Sequence, residues 1–176
     1  MAAEQMDMLK EEIGDGVIET SSFRGDETAL IKRSDWKRAA RILKERCGMD
    51  MFIDLCAADY PDRDERFEVV LHLRSTNKDK RFRLKARCAS RDPSIESLSD
   101  IYSGANWFER EAYDLFGIEF KGHPNMKRIL CHHEFEGHPL RKDYPKERRG
   151  TIPTPQTLMD EMESGETRET RETRRE

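Results

Sequence analysis

Histidine and cysteine side chains concentrate in one short part of this 176-residue chain. Segment 123–138 holds four of the five histidines, together with Cys131. Imidazole and thiolate groups are ligands that zinc prefers, so a metal site must be considered there. The spacing is poor for one, because Cys131, His132 and His133 are consecutive and no second pair stands a few residues apart. We therefore expect no metal ion, and a small metal-dependent hydrolase built on this cluster is an alternative function.

A second set of reactive side chains consists of Glu109, Arg110, Glu111 and Asp114. Carboxylates in such a group could perform acid/base chemistry or bind a metal. Because an arginine is interleaved with them, an ion-paired network that fixes a helix or meets a partner is the simpler interpretation. Arg110 and Asp114 have the i, i+4 spacing that allows them to bond each other. Exposed pairs of this kind contribute little to stability, so recognition is the more interesting role.

A helix predicted over residues 107–116 must position these charged groups. Asn106 followed by Glu109 has the spacing of a capping box, and Gly117 stops the helix. Its predicted apolar arc consists of Phe108, Ala112, Leu115 and Phe116. A different side of the helix carries Trp107, Arg110, Glu111 and Asp114.

Two Gly-His-Pro triplets follow the helix, at 122–124 and 137–139. Glycine permits positive φ and proline fixes φ, so each triplet is a tight and stiff corner. From the second triplet to residue 145 the chain is rich in proline, tyrosine and mixed charge, which is typical of an extended strap lying on another surface. Beyond it, three Glu-Thr-Arg repeats have no apolar residue to bury and are expected to be disordered unless bound.

The part before the charged helix has the periodicities of a small α/β scaffold. Residues 66–75 and 81–88 alternate apolar and polar side chains and predict an antiparallel hairpin with one basic face. The apolar run 51–58 predicts a buried strand. The other predicted elements are helices at 5–13, 35–47 (with Ser34 as its N-cap) and 95–102, and strands at 17–22 and 28–32. The predicted fold class is α+β, a two-layer sandwich with a mostly antiparallel sheet of about five strands, helices on one side and an extended C-terminal strap.

Composition excludes several classes of function. A net charge of −4 argues against a nucleic-acid binder. The four cysteines form no C-x-x-C pair, which argues against an iron–sulfur cluster or a redox pair. Residues 1–10 lack the pattern of a signal peptide and no apolar run is long enough to span a bilayer, so we expect neither feature. We divide it into a domain at 1–121, a partner-binding strap at 122–155 and a disordered tail at 156–176.

Residues 106–145 closely resemble the signature of the C subunit (the 30 kDa subunit family) of proton-translocating NADH:quinone oxidoreductase, respiratory complex I. Related subunits occur in membrane-bound hydrogenase and formate hydrogenlyase assemblies. The match is nearly continuous over about 40 residues. Its elements are Glu109-Arg110-Glu111 with Asp114, Phe116-Gly117-Ile118, Gly122-His123-Pro124, Arg128-Ile129-Leu130 and the run from Glu136 to Pro145.

The resemblance implies a non-catalytic peripheral subunit on the cytoplasmic face of the inner membrane, packed chiefly against the large D subunit. It implies no cofactor in this chain, with flavin and iron–sulfur clusters on partner subunits. The equivalent subunit of a hydrogenase-type complex is the alternative within this class. The residues expected at the partner interface are Glu109, Arg110, Glu111, Asp114, His123, Arg128, Glu136, His138, Arg141, Asp143 and Tyr144.

Overall fold

The computed structural model describes residues 3–132 and 135–145. Residues 3–132 and 137–144 form one compact unit, and residues 135, 136 and 145 belong to a second. In these ranges the helices are α1 (Ala3–Ile13), α2 (Trp36–Glu45) and α3 (Ala105–Phe116). The strands are β1 (Val17–Phe23), β2 (Asp26–Ile31), β3 (Met51–Asp59), β4 (Phe67–Ser75), β5 (Lys80–Cys88), β6 (Ser94–Glu96) and β7 (Glu119–Lys121). His133, the strap beyond residue 145 and the predicted tail lie outside the described residues.

Five strands form one sheet in the order β1-β2-β5-β4-β3. All neighbours are antiparallel except β2 and β5, which run parallel. β6 and β7 pair separately and in parallel. The alternation predicted for β4 and β5 is confirmed, because Phe67, Val69, Leu71 and Leu73 of β4 and Phe82, Leu84, Ala86 and Cys88 of β5 are all buried. The predicted α+β class with a mostly antiparallel five-stranded sheet is therefore correct.

One apolar cluster joins the buried face of the sheet to the helices. Leu9 of α1, Trp36 and Leu43 of α2, and Ala112 and Phe116 of α3 all belong to it. Helix α2 begins at Trp36, after a 3-10 turn at Arg33–Asp35, and no side chain caps it, so the predicted Ser34 cap is wrong. The apolar cluster is the base on which α3 rests.

Strand β3 is an edge strand rather than the buried strand that its apolar composition suggested. The strand order gives it a neighbour on one side only, and a bulge interrupts its pairing between Phe52 and Asp54. Met51, Ile53 and Cys56 are consequently exposed. Its inward residue Phe52 packs against Phe108 of α3, with ring centroids 5.4 Å apart.

The helix predicted over 95–102 is wrong. Ile95, Leu98 and Ile101 are buried as a helical stripe would be, but strand β6 and a series of turns place them there. The amide N–H groups at the start of this segment are bonded to distant parts of the chain. Ser97 N donates to Lys121 O, and Leu98 N donates to the Glu109 carboxylate. Tertiary partners have therefore overridden the local periodicity.

Candidate functional site

The residues that carry the resemblance lie along helix α3 and along the chain that follows it. From here on, the strap means the part of the predicted segment 122–155 that lies in the first compact unit and is described, residues 122–132 and 137–144. The predicted apolar arc of α3 is confirmed, because Ala112 and Phe116 are buried and Phe108 and Leu115 are partly buried in the same cluster. Gly117 ends the helix in the left-handed region, at φ 72°. This glycine lets the chain leave α3 at a sharp angle.

The first half of the strap runs beside α3 in the same direction as the helix. His123 Nε2 donates to Asn106 O in the first helical turn, at 3.1 Å. One turn later, Arg110 donates from Nε to Lys127 O (3.0 Å) and from Nη2 to Arg128 O (3.2 Å). Arg110 therefore binds strap carbonyls and does not form the predicted i, i+4 pair with Asp114. Its side chain positions the strap against the helix.

Asp114 is the anchor for the middle of the strap. Its side chain is fully buried and accepts three consecutive strap amides, those of Ile129, Leu130 and Cys131, at 2.8–3.0 Å. Arg128 Nη1 completes the set at 2.7 Å. Burial alone would raise the pKa of Asp114, but these hydrogen bonds together hold it below its usual value. The carboxylate is therefore ionised and gathers three amide donors that would otherwise lack partners.

The second half of the strap caps the C-terminal end of α3. His138 Nδ1 donates to Asp114 O (2.9 Å), and Arg141 Nε donates to Phe116 O (2.5 Å). Both carbonyls belong to the last helical turn, which leaves its C=O groups without partners inside the helix. A side chain at Gly117 would collide with Arg141 and lie 2.5 Å from His138 Nε2. Glycine is thus required here both for its conformation and for the close approach of the strap.

Arg66 fastens the end of the strap to the sheet. Its guanidinium binds Asp59 at the end of β3 (2.6 and 2.8 Å) and Asp143 in the strap (2.8 and 2.9 Å). Asp59 also accepts Lys142 N at 2.7 Å. Hydrogen bonds to both carboxylates raise the pKa of Arg66, and the same bond to Arg66 lowers the pKa of each carboxyl group.

Arg66 and Asp59 were not predicted from the sequence. They lie seven residues apart on either side of a loop, and their common partner Asp143 is 77 positions from Arg66. No local pattern marks such a pair. The one available signal was that Asp59 closes an apolar strand, a position where an unpaired carboxylate is costly.

Glu109 is buried and faces away from the strap. It is 0% exposed and accepts bonds from Ser97 Oγ and Leu98 N, each at 2.6 Å. The predicted capping box is therefore wrong: α3 begins at Ala105 with no side-chain cap. No cation pairs with Glu109 among the described residues, and burial raises its pKa to about 7. This carboxyl group joins α3 to the turns after β6.

The predicted interface residues consequently fall into different environments. Glu109 and Asp114 are buried inside the chain, whereas Glu111, Glu136 and Asp143 are exposed. Arg110, His123, Arg128, His138 and Arg141 are partly exposed, and each bonds within α3 and the strap. Tyr144 is partly exposed, and its ring lies so close to Gly137 that a Cβ there would be 2.7 Å from it. That these residues contact a partner stays a prediction.

Nothing in the described part of the chain resembles a metal centre. Within 3–132 and 135–145, no three His, Cys, Asp or Glu side chains are grouped so as to hold an ion. Both ring nitrogens of His123 have partners, because Asn125 N donates to Nδ1 while Nε2 binds Asn106 O. None of the helices in these ranges has the length and apolar character needed to cross a bilayer. The hydrogen bonds of the charged and histidine side chains hold the strap against α3.

A family model described as "Respiratory-chain NADH dehydrogenase, 30 Kd subunit" matches residues 29–150. Among curated relatives, the C subunit of NADH-quinone oxidoreductase from Citrifermentans bemidjiense is 41% identical over 137 residues, covering 78% of this chain and 85% of that protein. The C subunit from Methylobacterium sp. strain 4-46 is 43% identical over 141 residues, covering 79% and 65%. The C/D subunit from Bdellovibrio bacteriovorus is 47% identical over 120 residues, which is 68% of this chain and 21% of that protein. The chain thus spans less than two thirds of the last two relatives.

Solved structures agree with these sequence relatives. A trypsin-resistant fragment of Nqo5 superposes with a TM-score of 0.62 at 30% identity, covering 71% of this chain and 99% of the fragment. A chain from an archaeal membrane-bound sulfane sulfur reductase has a TM-score of 0.70 at 24% identity, which shows a shared fold. Neither the hydrogenase-type nor the hydrolase alternative is favoured by these relatives. The resemblance stated from the sequence is confirmed, and the chain belongs to the 30 kDa subunit family of the respiratory-chain NADH dehydrogenase.

Proposed function

We propose that this chain is a non-catalytic subunit of the peripheral arm of an NADH:quinone oxidoreductase, the assembly that passes electrons from NADH to quinone and couples this to proton translocation. The observation that best supports the proposal is the family match over 29–150, which contains β3, β4, β5, α3 and the described residues of the strap. The charged residues of the match bond to one another and to the backbone. Among residues 29–132 and 135–145 they therefore build a rigid body and leave no convergent set of free reactive groups.

The mechanism on this proposal is positional. Electron tunnelling and quinone reduction need fixed separations between cofactors, and the flavin and iron–sulfur clusters are carried by partner subunits. A rigid chain that contacts several of these subunits keeps their separations constant. The clamping of the strap onto α3 supplies this rigidity, since a preorganised surface loses little conformational entropy when it binds.

The large D subunit is the principal partner on this proposal. In Bdellovibrio bacteriovorus one polypeptide is named as a C/D subunit, and 21% of it aligns with this chain. Fusion holds two chains at a high effective concentration and is useful only when they work side by side. The assembly itself lies on the membrane, and this chain sits peripherally on the cytoplasmic side.

Purification of the tagged full-length chain from membranes of its own host tests the proposal. We expect the large subunit and other peripheral-arm subunits to copurify with it, and deletion of the chain to abolish membrane NADH:quinone activity. Metal analysis and an absorption spectrum of the chain alone should show no stoichiometric metal or flavin. Copurification with a hydrogenase, or hydrolase activity with bound zinc, would replace the proposal by one of its alternatives.

A further inference from the structure

The sheet face that points away from the helices is covered at one place, above Leu30 of β2. Ala29 and Ile31 belong to the apolar cluster, so Leu30 between them points to the opposite, open face. Leu30 is nevertheless only 4% exposed. The loop between β3 and β4 contributes Tyr60 and Arg63 to its cover, and a cavity of about 190 Å³ lies there. We call this space, which extends from β1 across β2 and β5 to β4, the open-face cavity.

Three cations line the open-face cavity, and one buried carboxylate holds them in place. Glu68 of β4 is 4% exposed, and its carboxylate accepts Lys85 Nζ at 2.8 Å and Arg87 Nε at 3.2 Å. Arg63 Nη1 lies 3.5 Å from the same carboxylate, and its guanidinium carbon is 3.8 Å from the centroid of the Tyr60 ring. Burial alone would raise the pKa of Glu68, but Lys85 and Arg87 together hold it below its usual value. Glu68 is therefore ionised and fixes the positions of the cations.

These cations keep most of their hydrogen-bond donors free of protein partners. Within the part of the chain that the structure describes, Arg87 uses only Nε, so the four hydrogens on its Nη atoms are available. Lys85 uses one of its three ammonium hydrogens. Arg63, Lys85 and Arg87 share the cavity with two carboxylates, Glu68 and Glu19, so three positive charges against two negative ones leave a net charge of +1. The cavity therefore favours an anion that accepts hydrogen bonds.

We propose that the open-face cavity binds a small tetrahedral oxyanion of the size of phosphate. The edge formed by Nη1 and Nη2 of Arg87 presents two parallel donors, which match two oxygens of a phosphate. Lys85 lines the same space from β5 and Arg63 from the loop, and the hydroxyl groups of Ser21 and Thr28 line its β1–β2 side. A tetrahedral ion has oxygens pointing in all of these directions, whereas the two oxygens of a carboxylate lie in one plane.

The size of the open-face cavity limits what can enter it. Its volume is about six times the volume that a water molecule occupies in the liquid, which is enough for a phosphate ion. A larger molecule can place only its phosphoryl group there and must keep the rest outside. All of the residues that line the site come from this chain, so binding needs no partner subunit and does not depend on the proposed function.

Isothermal titration of the full-length chain with inorganic phosphate tests the proposal. Sodium chloride keeps the ionic strength constant, so that general screening of the surface charges does not change during the titration. We expect saturable binding of one phosphate per chain, and binding of acetate that is weaker by about ten-fold or more. Absence of saturable phosphate binding up to about 10 mM, or acetate binding as tight as that of phosphate, would overturn the proposal.

A matched pair of variants tests the role of the guanidinium edge. Arg87→Gln removes it, while Arg81→Gln removes an exposed guanidinium that lies on the same strand and the same face but outside the cavity. We expect Arg87→Gln to weaken phosphate binding by about ten-fold or more and Arg81→Gln to change it by less than about two-fold. Equal effects would overturn the proposal. If Arg87→Gln does not fold, as judged by its thermal midpoint, Arg63→Gln replaces it with the same expectation, since the contact of Arg63 with Glu68 is the longest of the three.

Two further measurements locate the site and identify the source of the phosphoryl group. Backbone amide NMR of the unmodified chain should show phosphate-dependent shifts centred on Ser21, Leu30 and Lys85, and shifts centred elsewhere would overturn the proposal whatever the variants do. Methyl phosphate then separates the two sources. Binding as tight as that of inorganic phosphate supports the phosphoryl group of a larger molecule, and binding of inorganic phosphate alone supports the free ion.

Discussion

Replacement of Glu109 by glutamine should remove a large part of the pH dependence of stability. The carboxyl group has an ordinary pKa of 4.5 and a pKa of about 7 in the folded chain, because burial disfavours its charged form and no cation of the described residues forms an ion pair with it. Between these values the folded chain keeps a proton that the unfolded chain releases, so its contribution is fully present below pH 4.5 and is lost as the pH rises through 7. At about 1.4 kcal/mol per pKa unit, the loss between pH 5 and pH 8 is about 2.5 kcal/mol.

Glutamine fits the same position with its hydrogen bonds intact. Its carbonyl oxygen can accept Leu98 N, and its amide can donate to Ser97 Oγ, which remains free to bond Ser99 Oγ at 2.8 Å. The variant should therefore fold normally and gain stability over the original chain as the pH rises. Other groups titrate equally in both proteins, so the difference between the two isolates Glu109.

Urea denaturation of both proteins at intervals between pH 5 and pH 8 measures this difference. Glu111→Gln is the matched control, since Glu111 is exposed two residues further along the same helix, and its difference should stay near zero. A Glu109→Gln difference that stays constant with pH, to within about 0.5 kcal/mol, would refute the reasoning that an uncompensated buried carboxyl group joins α3 to the turns after β6.

Three other perturbations probe the strap. Asp114→Asn puts an amide donor where three N–H groups converge, so it should lower the free energy of unfolding, measured by urea denaturation, by about 3–5 kcal/mol. The control Asp62→Asn, at an exposed position, should change it by almost nothing, and a loss below about 1 kcal/mol for Asp114→Asn would contradict the anchoring role. Gly117→Ala should lower the free energy of unfolding by about 2 kcal/mol or more and speed trypsin cleavage after Arg141. The control Gly14→Ala measures backbone strain alone, because Gly14 also has a positive φ (58°) but no atom lies within 4 Å of the added Cβ. Equal effects from both variants would show that the strap does not press on Gly117. Asp59→Ala should lower the thermal midpoint far more than Asp143→Ala, because the Asp59 side chain is fully buried and that of Asp143 is 61% exposed. The reverse order in thermal melts would disprove the assignment of Asp59 as the anchor of Arg66.

The parts of the fold that sequence predicts well are those set by local periodicity. Alternation in β4 and β5 indicated both their pairing and their buried face, and 3.6-residue spacing indicated the apolar arc of α3. Local periodicity does not predict where a strand lies within the sheet. The apolar run of β3 is compatible with either a central or an edge strand, and only the strand order decides that Ile53 and Cys56 are exposed.

The polar contacts of the site were beyond sequence reasoning because they join distant residues. Glu109 and Asp114 look alike in sequence, five positions apart on one helix. One is buried against serine and a backbone amide, with a raised pKa, while the other has four donors from the strap and a lowered pKa. The chemistry of a carboxylate depends on which donors the fold brings to it. Those donors lie 11 to 17 residues away along the chain.

The parallel pairing of β2 with β5 has a consequence for how the chain is made. The ribosome releases β2 about 50 residues before β5. In the hairpin of β1 and β2, the edge of β2 that pairs with β5 therefore stays unpaired until β3, β4 and β5 have been synthesised. During that interval the unpaired backbone groups of β2 form an exposed strand edge, to which another chain can add a strand. Slow synthesis between residues 31 and 80 would therefore raise the yield of aggregates more than an equal delay anywhere after β5.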